Sequence, residues 1–384
     1  MTSPPTTIRA RDNRVPAGVD ARLTRLTEGF VARRGLQHAN VALVGGDGEH
    51  HWSGAVGTGE HPPRPDTPFF VASITKRFIV TLVLQAHERG ELDLDAPIGD
   101  HLPPSTLTGL HVLGGTDRTA AITVRHLAGH TSGLPDHLDK RRGEPAPLRL
   151  LAAGQDLSWT FEDTLRTTRE RQRPHFVPQD LTAARQKARY SDTGFQLLIR
   201  ILGTVTGRSF ADLLTERVIG PLGLEHTWLP GHSPTDPAAP APSPLHARRR
   251  RVKAASLIAS SNDLFSTTAD LLTFQRALLD GALFADPRTR ALLTERRNRL
   301  RNAPGLRYGL GTMSYRVGRL MAAGHRPVTL VGHSGATGTW LFHCPELDLH
   351  LCGTFDQANG QTLPFWFMAG CVRVWRTGGW ADPA

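Results

Sequence analysis

The stretch FFVASITKRF, residues 69–78, places a serine three positions before a lysine at the head of an apolar run. From Ile74 the sequence ITKRFIVTLVLQAHERG is apolar around most of a helical wheel until Gly90, which predicts a buried helix. Ser73 then stands at the N-terminus of this helix. Residues three apart share one helix face, so the Lys76 amine can approach the Ser73 hydroxyl. The stretch therefore predicts a paired hydroxyl and amine at the start of a buried helix.

Lysine is scarce in this chain, which has 41 Arg and only 4 Lys. An arginine keeps its proton in proteins, whereas a buried lysine shifts its pKa readily, so Lys76 can act as a base where an arginine cannot. The helix N-terminus contributes free backbone N–H groups and the positive end of the helix dipole, which favour an oxyanion beside Ser73. Taken alone, however, Ser-x-x-Lys more often marks a helix cap followed by a solvated lysine.

Two further stretches place polar side chains of catalytic type beside apolar elements. In ARYSDTGFQLLIRILG, Tyr190 stands two residues before Asp192 at the start of another predicted helix. In VGHSGATGTWLF, the residues His333, Ser334 and Gly335 border a predicted strand. Taken alone, Tyr190 is typical of a core aromatic residue whose hydroxyl is hydrogen-bonded.

In chain order the three stretches give Ser-x-x-Lys, Tyr-x-Asp and His-Ser-Gly. This order resembles the serine β-lactamase and D,D-peptidase superfamily, whose motifs are Ser-x-x-Lys, a Ser or Tyr triplet, and Lys-Thr-Gly. The tyrosine and the His-Ser-Gly variant resemble the branch of class C β-lactamases, D,D-carboxypeptidases and esterases. The stretches ELDLDAPIGDHLP, ITVRHLAGHTSGLPDH, VIGPLGLEHTWLP, STTADLLTFQRALLDG and YGLGT also look like connecting segments of that branch.

The resemblance implies a site for acyl transfer. Ser73 attacks an ester or amide carbonyl, Lys76 and Tyr190 share its proton, and an acyl-enzyme forms. The oxyanion binds between the backbone N–H groups of Ser73 and Ala336, and Tyr190 protonates the leaving group and activates the incoming water, alcohol or amine. Whether Lys76 or Tyr190 is the formal base stays open. The residues implied to contact substrate are Asp192, His333, Ser334 and Gly335.

Two of these residues depart from the pattern of the superfamily. Asp192 stands where many relatives have Asn, and an ionised carboxylate cannot donate a hydrogen bond to a substrate carbonyl. His333 stands where β-lactamases often have Lys, so a fixed positive charge for a β-lactam carboxylate is missing at neutral pH. Efficient hydrolysis of antibiotics is therefore not favoured, and His333 is either a substrate contact or a structural histidine.

We predict no metal and no cofactor. The cysteines Cys344, Cys352 and Cys371 are few, odd in number and without CxxC spacing, so they predict buried thiols rather than a disulfide framework or a zinc site. His126 and His130 are four residues apart, as metal ligands on a helix can be, but the glutamate of a His-Glu-x-x-His site is absent.

The formal net charge of +10 raises the question of a nucleic-acid partner. Its sharpest local source is the run Arg248 to Arg251 in HARRRRVKAA, which follows a Pro-rich segment and predicts a solvated loop. No recognised nucleic-acid motif surrounds it, and the chain has only 3 Tyr for base stacking. We therefore expect small-molecule partners, an acyl donor with water, an amine or an alcohol as acceptor, and no nucleic acid. The oligomeric state is not predicted.

The 384 residues and their pattern favour an α/β (α+β) fold. Strand-like stretches lie at both ends of the chain, including NVALVGGDGEHHWSGAVG and the pair GTWLFHCP and LDLHLCGTFD, whereas the middle is mostly helical. We predict an antiparallel sheet flanked by helices and built from residues 1–90 and 300–384, with a mainly helical insertion at residues 91–299.

The N-terminal stretch MTSPPTTIRARDNRVP lacks the apolar segment of a secretory signal, and no apolar stretch reaches the roughly 20 residues that cross a bilayer. These features predict a cytoplasmic protein without a membrane partner. The function hypotheses are a hydrolase of esters or small amides and a biosynthetic transacylase of the kind found in natural-product and antibiotic pathways. The alternatives are D,D-carboxypeptidase or β-lactamase activity, and a non-catalytic binding protein on the same fold.

Overall fold

Strands from both ends of the chain pair in one sheet. The computed structural model describes residues 6–10, 12–57, 62–141, 143–321 and 324–378. The strands of these residues are β1 (Thr6–Arg9), β2 (His38–Gly45), β3 (His51–Gly57), β4 (Phe69–Phe70), β5 (Val112–Leu113), β6 (Thr116–Asp117), β7 (His246–Ala247), β8 (Arg250–Arg251), β9 (Phe265–Ser266), β10 (Asn298–Arg299), β11 (Leu306–Tyr308), β12 (Met313–Val317), β13 (Val328–Ser334), β14 (Trp340–Cys344) and β15 (Leu349–Thr354).

The main sheet has nine strands in the order β1-β3-β2-β15-β14-β13-β12-β11-β10. Every neighbouring pair is antiparallel. The two chain ends meet where β2 pairs with β15, with Leu43 opposite Leu351. Short two-stranded ribbons are formed by β4 with β9, β5 with β6, and β7 with β8.

Helices cover both faces of the sheet. The α-helices of the described residues are α1 (Ala17–Arg34), α2 (Thr75–Glu88), α3 (Pro104–Leu107), α4 (Val124–Ala128), α5 (Pro147–Ala153), α6 (Phe161–Arg166), α7 (Asp192–Thr206), α8 (Phe210–Leu214), α9 (Gly220–Leu222), α10 (Ala255–Ser261), α11 (Thr268–Asp280), α12 (Pro287–Glu295) and α13 (Leu363–Arg376). None of the helices in this part of the chain is long and apolar enough to cross a membrane.

Alternate residues of the central strands point to two separate cores, as the two-residue period of a strand requires. On β14, Trp340 and Phe342 belong to the core beneath α1 and α13. Leu341, between them, belongs to the core shared with α2, α7 and α11. In that second core the rings of Phe78 and Phe274 stack with their centroids 3.7 Å apart. The sheet is therefore buried on both faces, and its second core holds α2 in place.

The predicted fold class is confirmed by this architecture. The helix predicted from Ile74 to Gly90 is α2, whose residues from Thr75 to Ala86 are all buried. The three cysteines are free and buried, as predicted. The division of the chain at residues 90 and 300 stays a prediction. The outer ends of the predicted α/β domain, residues 1–5 and 379–384, lie outside the described residues. Part of the N-terminal stretch from which the cytoplasmic location was predicted also lies outside them. Within the predicted insertion, α11 packs on β2, β14 and β15 of the sheet.

Candidate active site

A tight turn presents Ser73 at the head of α2. The turn is a 3-10 helix, Ala72–Ile74, directly before α2. Ala72 has a φ of 49°, a left-handed conformation that alanine rarely adopts. The Thr75 hydroxyl holds the turn by donating to the Ala72 carbonyl at 2.8 Å and accepting from the Leu264 N–H at 3.0 Å. Ser73 is partly exposed although its neighbours Ala72 and Ile74 are buried, so the turn directs its side chain towards solvent.

The end of β13 lies against this turn. The Thr339 hydroxyl donates to the Val71 carbonyl at 2.9 Å. A Cβ atom on Gly335 would lie 2.9 Å from that same carbonyl oxygen, so only glycine allows so close an approach. The backbone N–H groups of Ser73 and Ala336 make no hydrogen bond within the described residues. Two unpaired donors are thus available where the resemblance implies an oxyanion site.

Lys76 lies one turn after Ser73 and reaches two partners. Its Nζ donates to the Ser73 Oγ at 3.2 Å and forms an ion pair with Asp192 Oδ1. The Lys76 side chain is 5% exposed and that of Asp192 is 21% exposed. The Nζ also lies 5.2 Å from the centre of the Tyr190 ring, a cation–π distance. The Lys76 ammonium therefore contacts the Ser73 hydroxyl on one side and the Asp192 carboxylate on the other.

The pKa of Lys76 differs from the sequence-based expectation. Burial lowers the pKa, as expected, but the carboxyl groups of Asp192 and Asp263 raise it by more, so that it lies above the usual lysine value. Lys76 is therefore protonated in the resting site. The sequence identified the desolvation but not the carboxyl groups that oppose it, because Asp263 comes from a distant part of the chain.

Two more carboxyl groups lie around the ion pair, that of the buried Asp136 and that of the half-buried Asp263. Burial and the charges of Asp192 and Asp139 raise the pKa of Asp136 well above its ordinary value. Burial also raises the pKa of Asp263 to about 6, although the charge of Lys76 opposes this shift. The Asp136 Oδ1 accepts a hydrogen bond from the Leu138 N–H at 2.8 Å.

Tyr190 closes the other side of Ser73. Its ring packs on His130, with the ring centroids 4.4 Å apart. Its buried hydroxyl has no hydrogen-bond partner among the described residues. Burial and the charge of Asp192 raise the pKa of Tyr190 well above 10, while the nearby Ser73 hydroxyl lowers it by less. Tyr190 is therefore a neutral phenol in the resting site, next to Ser73 but without a hydrogen bond of ordinary geometry to it.

His333 forms part of the wall behind this tyrosine. It is fully buried on β13, its Nδ1 donates to the Ser334 carbonyl at 2.8 Å, and its Nε2 accepts from the Tyr308 hydroxyl at 3.0 Å. Burial and the charge of Lys76 hold the pKa of His333 well below its usual value. Of the two alternatives for His333, this geometry favours the structural histidine. His333 and Ser334 end a strand, and Ser334 is buried with its Oγ 3.6 Å from Met313 Sδ.

The histidines with possible metal-ligand spacing are engaged elsewhere. His126 Nε2 contacts the Gln179 carbonyl oxygen, whereas His130 Nδ1 accepts from the Ser191 N–H at 3.2 Å. A separate group, His343, Asp348 and His350, lies at the far ends of β14 and β15. There the Gln275 amide donates to His350 Nδ1 at 3.2 Å, which leaves no free lone pair on that neutral ring.

Several residues of the site were not singled out from the sequence, and His130 was considered only for its metal-ligand spacing. Tyr308 and His130 pack with Tyr190 beside Ser73 and Lys76. Arg77 is 2% exposed, and burial lowers its pKa to about 10. Its Nε and Nη1 have no hydrogen-bond partner in the part of the chain that the structure describes. One feature of the sequence could have drawn attention to Tyr308, because it is one of only 3 tyrosines. Nothing in the local sequence distinguishes Arg77 from the other arginines.

Comparison with known proteins gives relatives for most of the chain. Esterase EstB of Burkholderia gladioli is 29% identical over 248 residues, which cover 60% of this chain and 58% of the esterase. Monacolin J acid methylbutanoyltransferase of Aspergillus terreus is 42% identical over 82 residues, 19% of each chain. The chain thus spans less than two thirds of the length of these relatives. A D-stereospecific amidohydrolase from Streptomyces sp. has the same fold, with a TM-score of 0.68 at 25% identity over 95% of this chain and 99% of that one.

The profile of the Beta-lactamase family matches residues 23–359. This range contains β2 to β15 of the sheet and every residue that the structure brings together around Ser73. The three motifs occur inside it in the order that the resemblance required. The family predicted from that order is confirmed, and the chain belongs to the Beta-lactamase family.

Proposed function

We propose that this chain is a serine enzyme that transfers acyl groups from esters or amides through an ester formed on Ser73. The observation that carries the proposal is the 3.2 Å contact between Lys76 Nζ and Ser73 Oγ at the head of a buried helix. A hydroxyl in this position can lose its proton to a neighbouring group as it attacks a carbonyl carbon. A non-catalytic binding protein is disfavoured, because nothing in simple binding requires this contact.

The charge that develops on the carbonyl oxygen needs donors, and the unpaired N–H groups of Ser73 and Ala336 supply them in the proposed mechanism. Tyr190 supplies the proton for the leaving group. Its phenol is neutral and its hydroxyl has no other hydrogen-bond partner among the described residues, so its proton is available for transfer. The same hydroxyl then orients the water, alcohol or amine that opens the acyl-enzyme.

β-Lactamase and D,D-carboxypeptidase activities are less favoured than ester or small-amide chemistry. His333 is neutral and fully enclosed, so it offers no charge to the carboxylate of a β-lactam or a peptide. The Arg77 guanidinium is also buried, so it does not replace that charge at the surface of the site. The cytoplasmic location expected from the sequence stays a prediction.

The proposed function is tested by intact-protein mass spectrometry after exposure to activated esters, thioesters, β-lactams and D-amino acid amides. We expect a stoichiometric mass increase equal to the acyl group of an ester, and a smaller or absent increase with β-lactams. The site of labelling is then located by peptide mapping. If no reagent of the panel leaves an adduct on Ser73, the proposed function is wrong.

The fate of the acyl group separates a hydrolase from a transacylase. We propose transfer to an amine or alcohol as the biosynthetic alternative, supported by the similarity to a methylbutanoyltransferase. We expect the ratio of amide to free acid to rise with amine concentration at a fixed concentration of activated ester, because amine and water compete for the same acyl-enzyme. Hydrolysis alone across a broad set of amines and alcohols would make the chain a plain esterase.

The arginine run forms a short hairpin rather than the predicted plain loop. Arg248 has a φ of 57° between β7 and β8, and its backbone N–H and carbonyl bond to the side chain of Gln357. Gln357 N–H in turn donates to the Thr337 carbonyl at 2.9 Å, next to Ala336. The four arginines are exposed, as predicted for a solvated segment.

Replacing Arg248 to Arg251 with alanine should leave acylation by a neutral ester within about twofold of the unchanged protein, because surface charges act weakly on a neutral reactant. The measurement is the single-turnover rate with a chromogenic neutral ester. A parallel titration with DNA and RNA at increasing salt addresses the remaining alternative. Salt-sensitive binding that disappears in the variant would restore the nucleic-acid hypothesis.

A further inference from the structure

The resting site contains no neutral base of the expected kind. Lys76 is held protonated by its carboxyl neighbours, and Tyr190 is held as a neutral phenol by burial. In these protonation states neither group can accept the Ser73 proton. The chain therefore needs another acceptor within reach of Ser73, either directly or through one intermediate.

Asp192 lies in the position that such an acceptor requires. Ser73 Oγ is 3.2 Å from Lys76 Nζ, and the same Nζ is in contact with Asp192 Oδ1. We propose that Asp192 is the terminal proton acceptor of the acylation step, receiving a proton from Lys76 as Lys76 receives the proton of Ser73. This inference rests on the proposed function and assigns Asp192 a role other than the substrate contact implied by the resemblance.

The step balances in atoms and charge. The Ser73 Oγ forms a bond to the carbonyl carbon while the carbonyl electron pair moves to its oxygen. One ammonium proton of Lys76 moves ahead to Asp192 Oδ1, which frees the Nζ lone pair that accepts the Ser73 proton later in the same step. Lys76 is an ammonium before and after the step, so the negative charge passes from Asp192 to the oxyanion. When the intermediate collapses, the carbonyl reforms and the leaving group departs with a proton from Tyr190. Tyr190 then regains a proton from Lys76, and Lys76 regains one from Asp192.

The surroundings of the pair favour this direction of transfer. The charge of Asp192 raises the pKa values of Asp136 and Asp263, so a proton on Asp192 relieves the repulsion among these carboxyl groups. The family's more common asparagine cannot hold a further proton at that place, because an amide is already neutral and a very weak base. The titratable and charged groups that face Lys76 and Asp192 are Asp136, Asp139, Asp263, Tyr190, Tyr308, His130, His137, His333 and Arg77.

The test is the pH dependence of single-turnover acylation by a neutral chromogenic ester in the unchanged protein and in Asp192→Asn. With Asp192 as acceptor, the pH range over which the rate rises should depend on the carboxyl group of residue 192. In Asp192→Asn the amine of Lys76 must lose its own proton first. We call the pH range over which the rate increases the rising limb. In Asp192→Asn we expect this limb to lie about one pH unit or more higher than in the unchanged protein. At pH values below the limbs of both proteins, the rate of the variant should be about tenfold or more lower.

Two matched variants make the readout specific. Asp136→Asn removes a buried carboxyl group that has no ion pair with Lys76 among the described residues, so it should move the rising limb less than Asp192→Asn does. Asp263→Asn removes the carboxyl group with a pKa of about 6 that has no ion pair with Lys76, so it should move the limb less than Asp192→Asn does. If the rising limb moves more in Asp263→Asn or in Asp136→Asn than in Asp192→Asn, the proposal is overturned.

An unchanged limb in Asp192→Asn, or a change confined to KM, also overturns the proposal and leaves Asp192 a binding residue. If this variant does not fold, the unchanged protein still decides, because two protons in motion give a curved dependence of the rate on the deuterium fraction of the solvent. A linear dependence means a single proton transfer and excludes the relay. Failure of the proposed function is recognised separately, by the absence of an adduct on Ser73 in the unchanged protein.

Discussion

Ser73→Ala should abolish the mass adduct and lower turnover of an activated ester by about 10⁴-fold or more, the scale of loss when a serine nucleophile is removed. Ser73 is the hydroxyl that the strained turn at Ala72 directs to solvent and that Lys76 contacts at 3.2 Å. An alanine side chain fits the same turn, so we expect the variant to fold normally. The measurements are intact mass after exposure to ester and the steady-state rate of ester cleavage.

The matched control is Ser53→Ala on β3, where the serine backbone, through its N–H and its carbonyl, pairs with the Asn13 side chain. This variant should retain the full adduct and an unchanged rate, because its hydroxyl is remote from the turn that carries Ser73. Covalent labelling that persists in Ser73→Ala would assign the nucleophile to another part of the chain.

The parts of the site that the sequence predicted are those set by short-range geometry. The helical period places Lys76, in the first turn of α2, on the same side as Ser73 in the 3-10 turn before it, and the apolar pattern requires that the helix be buried. Tyr190 and Asp192 stand at the start of α7 for the same reason, since the apolar run behind them sets where that helix begins. The approach of these two helix starts to each other came from the family resemblance, not from either stretch alone.

What could not be predicted depends on contacts between distant parts of the chain. The hydrogen bond between Tyr308 and His333 joins β11 to β13, and it determines that His333 is enclosed rather than presented to a substrate. The charge of Lys76 depends on Asp192 and Asp263, which are more than a hundred positions away. The local pattern around Lys76 shows that it is buried, and burial alone predicts the wrong direction for its pKa.

The strand order of the sheet could not be predicted either, because it also depends on contacts between distant parts of the chain. Each strand was predicted from its own β-branched and aromatic residues, but the pairing of β2 with β15 closes a loop of about three hundred residues. This pairing brings the C-terminal strands beside the N-terminal hairpin, and β13 beside the turn of Ser73. The N–H groups of Ser73 and Ala336, which we propose as oxyanion donors, are therefore neighbours only in the folded chain.

Lys76→Arg should lower single-turnover acylation by about 10² to 10⁴-fold, nearly as much as Lys76→Ala, which is the range of a lost general acid–base group. A guanidinium can keep the ion pair with Asp192 and the positive charge beside Ser73. It cannot give up a proton, so it neither accepts the Ser73 proton directly nor passes one to Asp192. The control is Lys187→Arg, which makes the same substitution at an exposed position and should leave the rate unchanged.

The arginine variant separates charge from proton transfer, because only the second differs between lysine and arginine at this place. A rate near that of the unchanged protein would mean that Lys76 acts through its charge alone, and Ser73 would then have to pass its proton to Tyr190. The high pKa of Tyr190 opposes that route, since a neutral phenol must lose its own proton before it can accept one. A large loss in Lys76→Arg, with folding confirmed by an unchanged thermal transition, is therefore the result that the contacts between Ser73, Lys76 and Asp192 require.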